Sequence, residues 1–143
     1  MKRILQNIGY NNDNWKEILN NNGYEYMNRL GHSGDVYLNR NVNDSILVSE
    51  SGTDISFTDS QRSIPNYFEE FKSYKDNKLR INCFRQRYNK PIGEYIEYDN
   101  NKVVKHLYYN NDSEVIWDFT KETMTDKDIF YLALTDNKLF LWY

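Results

Sequence analysis

The chain reads as an α+β protein: two short helices packed on a mainly antiparallel, twisted β-sheet made of a C-terminal meander and a terminal hairpin. Three observations carry that expectation. Four strand-length runs, 78–88, 92–98, 102–109 and 114–120, follow one another between turn-forming stretches such as Asn89-Lys90-Pro91 and Asp99-Asn100-Asn101. Apolar residues recur at helical spacing in two places earlier in the chain. Finally, 13 Tyr, 7 Phe and 3 Trp in 143 residues argue against disorder and supply a core.

Taken in order, Asn12-Asp13-Asn14 before Trp15-Lys16-Glu17-Ile18-Leu19 predicts a short helix. Asn14 is its expected N-cap, Glu17 completes a capping box, and Asn20-Asn21-Asn22-Gly23 ends it. Strands are expected over 24–30 and 35–39 around Gly31-His32-Ser33-Gly34, and over 45–49 and 54–58 around Glu50-Ser51-Gly52-Thr53. Ser63-Ile64-Pro65 opens the second expected helix, because proline is favoured in a first turn. Ile64, Tyr67, Phe68, Phe71 and Tyr74 continue it at spacings of three and four, until Asp76-Asn77. After the meander, 121–128 reads as a charged connection. Segments 129–134 and 138–143 form a last hairpin around Thr135-Asp136-Asn137. Leu139-Phe140-Leu141-Trp142-Tyr143 is apolar on both faces and should be central or covered.

The length and the lack of a linker favour one domain over 1–143, burying roughly 68–70% of the surface of its unfolded chain. A net charge of −3 argues against sequence-independent binding to nucleic acid. The start, Met1-Lys2-Arg3-Ile4-Leu5, turns polar at Gln6 and has no apolar leader core, and no later run is long enough for a membrane span. A cytoplasmic protein is the expectation, and the Asn-x-Ser triplets at Asn43 and Asn111 read as turns. Asn occurs 20 times, Ile and Lys 11 times each and Ala once, at Ala133. Those residues have AT-rich codons, which points to a low-GC bacterium, an acquired island or a virus.

Candidate chemistry is sparse. Gly31-His32-Ser33-Gly34-Asp35 gathers a hydroxyl, an imidazole and a carboxylate, but a nucleophile elbow needs a strand-to-helix context and a second glycine at the fifth position. It reads as a polar hairpin turn. His32 and His106 are the two histidines and Cys83 the one cysteine, so neither a zinc set nor an internal disulfide is expected. Cys83 reads as a small semi-buried hydrophobe and His106 as a solvent-face strand residue. No catalytic residue, metal or cofactor is expected.

Two charge patterns remain. Lys78, Arg80, Arg85, Arg87 and Lys90 lie in a stretch without acids, interleaved by Phe84 and Tyr88 as in single-strand nucleic-acid platforms. Strand alternation splits the set between faces, so pairing with acids such as Glu94 and Glu97 is preferred. Conversely, 41–61 contains no Lys or Arg but holds Asp44, Glu50, Asp54 and Asp59. A second acidic stretch supplies Asp112, Glu114 and Asp118. These read as a docking face for a basic partner, with Tyr108 among the aromatic anchors.

The string 91–111 includes Gly93-Glu94-Tyr95, then Tyr98-Asp99-Asn100-Asn101-Lys102 and Tyr108-Tyr109-Asn110-Asn111. It resembles the variant MORN-type repeat, although Asn101 and Asn111 stand where that repeat carries glycine. The resemblance implies a non-enzymatic sheet platform of a kind found in some bacterial antitoxin-like proteins, and it transfers no functional residue. The function expected from these features together is protein binding without catalysis. Its most specific form is a bacterial immunity protein, as in contact-dependent growth inhibition, that neutralises a basic toxin domain through acidic loops. The alternative is a single-stranded nucleic-acid-binding module that uses the basic-aromatic strand 78–90.

Overall fold

The computed structural model describes residues 3–60 and 68–119. These residues build one nine-stranded antiparallel sheet in which spatial order follows chain order throughout. A 3-10 turn, Ile4–Asn7, and one helix, α1 (Trp15–Asn21), precede it. The strands are β1 (Glu25–Arg29), β2 (Asp35–Asn39), β3 (Asp44–Ser51), β4 (Asp54–Ser60), β5 (Glu69–Lys75), β6 (Lys78–Gln86), β7 (Lys90–Asp99), β8 (Lys102–Tyr109) and β9 (Val115–Asp118). No helix among the described residues is long and apolar enough to cross a membrane.

The expected antiparallel meander is present and extends further towards the N-terminus than the sequence reading had it. Its hairpins rest on residues that accept positive φ. Asp76 and Asn77 (φ 51° and 62°) join β5 to β6, and Asn100 and Asn101 (φ 50° and 65°) join β7 to β8. Consecutive positive φ values suit the right-handed twist of a hairpin, and Asn and Asp tolerate them better than other side chains. The expected terminal hairpin, 129–143, lies outside the described residues.

The second helix is not formed where it was expected. Glu69–Lys75 is strand β5, paired with β4 and β6; Ile64 and Tyr67 lie outside the described residues. The aromatic spacing coincides with a helical period, but the true alternation is Phe68, Glu70, Lys72 and Tyr74 on one face, all buried, and Phe71 on the other. Charged residues at buried positions hid the period of two.

Helix α1 forms as expected but with different end contacts. Asn14 occupies the N-cap position without a side-chain capping bond. The C-terminal end closes as a Schellman motif: the Gly23 N–H donates to the Asn20 carbonyl (3.2 Å) and the Tyr24 N–H to the Leu19 carbonyl (2.9 Å). Gly23 supplies the required left-handed conformation at φ 88°.

Residues of the N-terminal segment and α1 form a layer over one face of the sheet, here the inner face. Leu5, Ile8, Trp15 and Leu19 bury themselves against Tyr37, Ile46, Val48, Phe57 and Tyr74. Each such side chain contributes about 1.5–3 kcal/mol of transfer free energy. A second cluster, Phe68, Phe84, Ile92, Tyr108 and Trp117, packs towards β9.

Between the clusters, inner-face charges hold the layer down. The Lys72 ammonium donates to the Leu5 carbonyl (3.0 Å) and also to that of Ile8. The Tyr74 hydroxyl donates to the Gly9 carbonyl (2.6 Å). Arg3 pairs with Glu70 (Nε–Oε2 3.2 Å) and lies 4.4 Å above the Phe84 ring. The Leu79 N–H then donates to the Tyr10 carbonyl (2.9 Å), carrying the segment across β6. Burial pulls Lys72 down to about 8, opposed by Glu70, while burial pushes the Glu70 carboxyl up against the pull of Arg3 and Lys72.

Two predictions follow from this packing. A Cβ at Gly34 (φ 132°) would stand 2.3 Å from the Val48 carbonyl oxygen, whereas one at Gly31 (φ 54°) meets nothing within 4 Å. Gly34→Ala should therefore cost roughly 3 kcal/mol or more in urea unfolding, and Gly31→Ala about 1 kcal/mol. For Lys72, the folded value near 8 lies below the ordinary lysine value of 10.5. Between those limits the unfolded chain holds a proton that the folded chain has lost, so this group makes stability rise with pH. Stability measured from pH 8 to 10 should rise relative to that of Lys72→Met, which lacks the titrating group.

Candidate functional site

The strand ends divide the acidic residues. Turns β1–β2, β3–β4, β5–β6 and β7–β8 lie at one end of the meander, and turns β2–β3, β6–β7 and β8–β9 at the other. At the first end, an open groove of about 460 Å³ lies between the N-terminal segment and the β3–β4 and β5–β6 turns. Asp13, Glu50, Asp54 and Asp76 line it, together with Trp15 and Asn77, and no Lys or Arg is among its lining residues.

Local structure explains why these groups meet. Asn77, held at positive φ by the tight β5–β6 turn, points back at the N-terminal segment. Its Oδ1 accepts from the Asn12 N–H (2.7 Å), and its Nδ2 donates to Asp13 Oδ1 (2.6 Å). The Asp76 N–H donates to the Thr53 carbonyl (3.1 Å), tying the two turns together. Glu50 and Asp54 come from facing ends of β3 and β4, in the short register closed by Ser51 opposite Asp54. Trp15 forms the apolar wall, its ring edge-on to Tyr37 and Phe57, each at 5.5 Å, with the Lys16 ammonium 5.4 Å above it.

A wall of this kind attracts cations. The four carboxylates outnumber the two nearby bases, Lys16 over the Trp15 ring and Lys75 opposite Asp54, and focus negative potential into a concave surface, which raises the encounter rate of a basic ligand. Among the described residues no group of three or more His, Cys, Asp or Glu side chains is arranged to hold a metal ion.

The other expected site residues are placed elsewhere. Asp44 and Asp59 are 5% and 2% exposed and point inward from β3 and β4. The Tyr24 hydroxyl donates to Asp44 (2.5 Å), and burial followed by Asp44 raises that hydroxyl well above its ordinary range. Asp59 stands opposite Glu70 across the β4–β5 pair. Both acids share alternation with apolar neighbours, Asp44 with Ile46 and Val48, Asp59 with Ile55 and Phe57. That parity signals an inward direction in the sequence itself.

Asp112 and Glu114 are exposed in the β8–β9 turn, at the opposite end from the groove, where Asn110 Oδ1 accepts from both of their N–H groups (3.0 and 2.9 Å). Asp118 is half-buried on β9, opposite Leu107. Tyr108, 4% exposed, belongs to the second core cluster and so presents no free aromatic surface. Sequence reasoning misses Asp13, Asp76, Asn77 and Trp15 as site residues, because Asp13 and Trp15 read as the start of one helix and Asp76-Asn77 as the end of another.

The basic strand is divided differently from what simple alternation implies. A register shift makes Arg80 the extra residue of a bulge, so Lys78, opposite Lys75, falls on the same face as Arg85, opposite Glu69. Arg87 lies beyond the end of β6. Arg85 pairs with Glu69 (2.6 Å) and lies 3.9 Å over Phe71, on the face opposite the N-terminal layer. Phe84 is buried beneath Arg3 on the inner face. Arg80 is half-buried, while Arg87 and Tyr88 are exposed in the short turn before β7, with Tyr88 90% exposed. These five residues share no single surface.

The remaining chemistry-bearing residues have local partners. His106 is half-buried, not a solvent-face residue; its Nε2 is 2.8 Å from Glu94 Oε2 and its ring stacks on Phe119 at 4.1 Å. Cys83 is buried, and burial pushes its thiol up to about 12. The Gly31–Gly34 stretch forms the β1–β2 turn, and Asp35 lies 3.6 Å from Arg29. In comparisons with known proteins, no family model, no curated protein and no solved structure matches this chain.

Proposed function

We propose that the protein binds another protein without catalysis, and that the groove between Asp13, Glu50, Asp54 and Asp76 receives a basic side chain or loop of that partner. In its most specific form the protein is a bacterial immunity protein whose partner is a basic toxin domain. One observation carries the reading: four carboxylates converge on a concave surface whose lining includes no cation. An intramolecular role would call for a matching base, as Glu69 has in Arg85 and Glu70 in Arg3. Of the groove acids, the Asp13 carboxylate accepts from the Asn77 side-chain amide, and the Asp76 backbone ties its turn to Thr53.

The sheet behind the groove acts as a platform. The resemblance of 91–111 to variant MORN-type repeats fits such a non-enzymatic role. Asn101, one of its departures from the repeat, has the positive φ (65°) that glycine would otherwise supply.

The test is isolation of the native complex from the source organism, combined with growth under challenge by the partner protein so recovered. A bound basic protein domain and protected growth are expected; recovery of no protein partner, or growth left unprotected, would sink the proposal. Within a recovered complex, Glu50→Lys with Asp54→Lys should weaken binding at least about tenfold, mainly through slower association at low salt. Asp112→Lys with Glu114→Lys, at the opposite end, should leave affinity within about twofold.

A further inference from the structure

β1 is an edge strand of the sheet, and all five of its residues are exposed. Tyr26 and Met27 are 55% and 44% exposed, and Leu30 just beyond is 53% exposed. Among the described residues β2 is its only strand neighbour. An edge with uncovered apolar side chains is a template for pairing with a further strand.

The residue order of the strand selects the partner. In Glu25-Tyr26-Met27-Asn28-Arg29, antiparallel pairing with a second copy about Met27 sets Glu25 of each chain opposite Arg29 of the other. Tyr26 then faces Asn28, and the two Met27 side chains meet at the two-fold axis. In-register parallel pairing would instead oppose glutamate to glutamate and arginine to arginine, which is unfavourable. Arg29 is available for this contact: its approach to Asp35 is long, at 3.6 Å, and its side chain is 65% exposed. A guanidinium has donors enough for a second carboxylate.

We propose that β1 pairs antiparallel with β1 of a second copy, giving a closed two-fold dimer with one sheet continuous across both chains. Such an isologous contact uses the same edge on each chain and terminates there. The register shift between Tyr26 and Asn28 leaves Met27 as the extra residue of a bulge, which limits the length of regular edge. A five-residue contact falls well short of the roughly 800 Å² per partner of stable interfaces. The dimer therefore forms reversibly as concentration rises. The groove opens at the β3–β4 and β5–β6 turns and stays accessible on both copies.

Sedimentation equilibrium of the full chain over about 10 μM to 1 mM tests this. The apparent mass should climb from 17.3 kDa towards twice that value. Glu25→Arg, which opposes arginine to Arg29, should raise the dimer dissociation constant at least about tenfold. Exchanging the pair, Glu25→Arg with Arg29→Glu, should restore it to within about threefold. A monomeric mass at every concentration would overturn the proposal. So would self-association that the single variant leaves unchanged, or that the exchange fails to restore after the single variant has abolished it.

Discussion

An ammonium group in the interior needs acceptors, and the end of a short helical turn needs donors. In this protein each supplies the other. Lys72, on the buried face of β5, donates to the carbonyl of Leu5, which also accepts from the Ile8 N–H (3.2 Å), and to that of Ile8 at the end of the first turn. Left alone, the buried charge would cost several kcal/mol. The inner face of the sheet is therefore not satisfied without the N-terminal layer, which supplies the acceptors of Lys72. Tyr74 and the Arg3–Glu70 pair extend the same reciprocity along β5.

That contact also sets the position of everything downstream. Once Ile8 and Gly9 are tied to β5, the chain crosses β6 at Tyr10 and reaches Asn77 at Asn12. Asp13 and Trp15 are thereby set beside the β3–β4 and β5–β6 turns, and the acidic groove results from this docking. The acids of the chain accordingly fall into different roles. Asp44, Asp59, Glu69 and Glu70 are buried and engaged within the fold, whereas Glu50 and Asp54 face solvent at the groove.

The meander was legible because its turns announce themselves: Asp99-Asn100-Asn101 and Asn110 to Ser113 bound runs with strand composition. The boundaries of β2 and β8 coincide with the expected 35–39 and 102–109. β5 was illegible for a physical reason. Glu70 and Lys72 occupy core positions that only tertiary partners make tolerable, so its alternation looked polar while its aromatics mimicked a helix. The N-terminal turn was missed because four residues carry no periodicity, and its apolar residues Ile4, Leu5 and Ile8 gain meaning only from the face they cover. Of the expected site, Glu50 and Asp54 come together, while Asp112 and Glu114 lie at the far end of the sheet. Net acidity along a segment did not distinguish rim from interior; strand parity would have done so for Asp44 and Asp59.

The central claim is that the N-terminal layer and the sheet form one cooperative unit through the contacts of β5. Native-state hydrogen exchange at the Leu79 and Asn12 amides measures it most directly. Both amides are bonded across that junction, to the Tyr10 carbonyl and to the Asn77 side chain. The account predicts that the Leu79 amide exchanges with the same opening free energy as amides in the centre of β4 and β5, with Asn12 clearly protected. Exchange of both at rates near those of an unstructured peptide, while the β4–β5 amides remain protected, would contradict it.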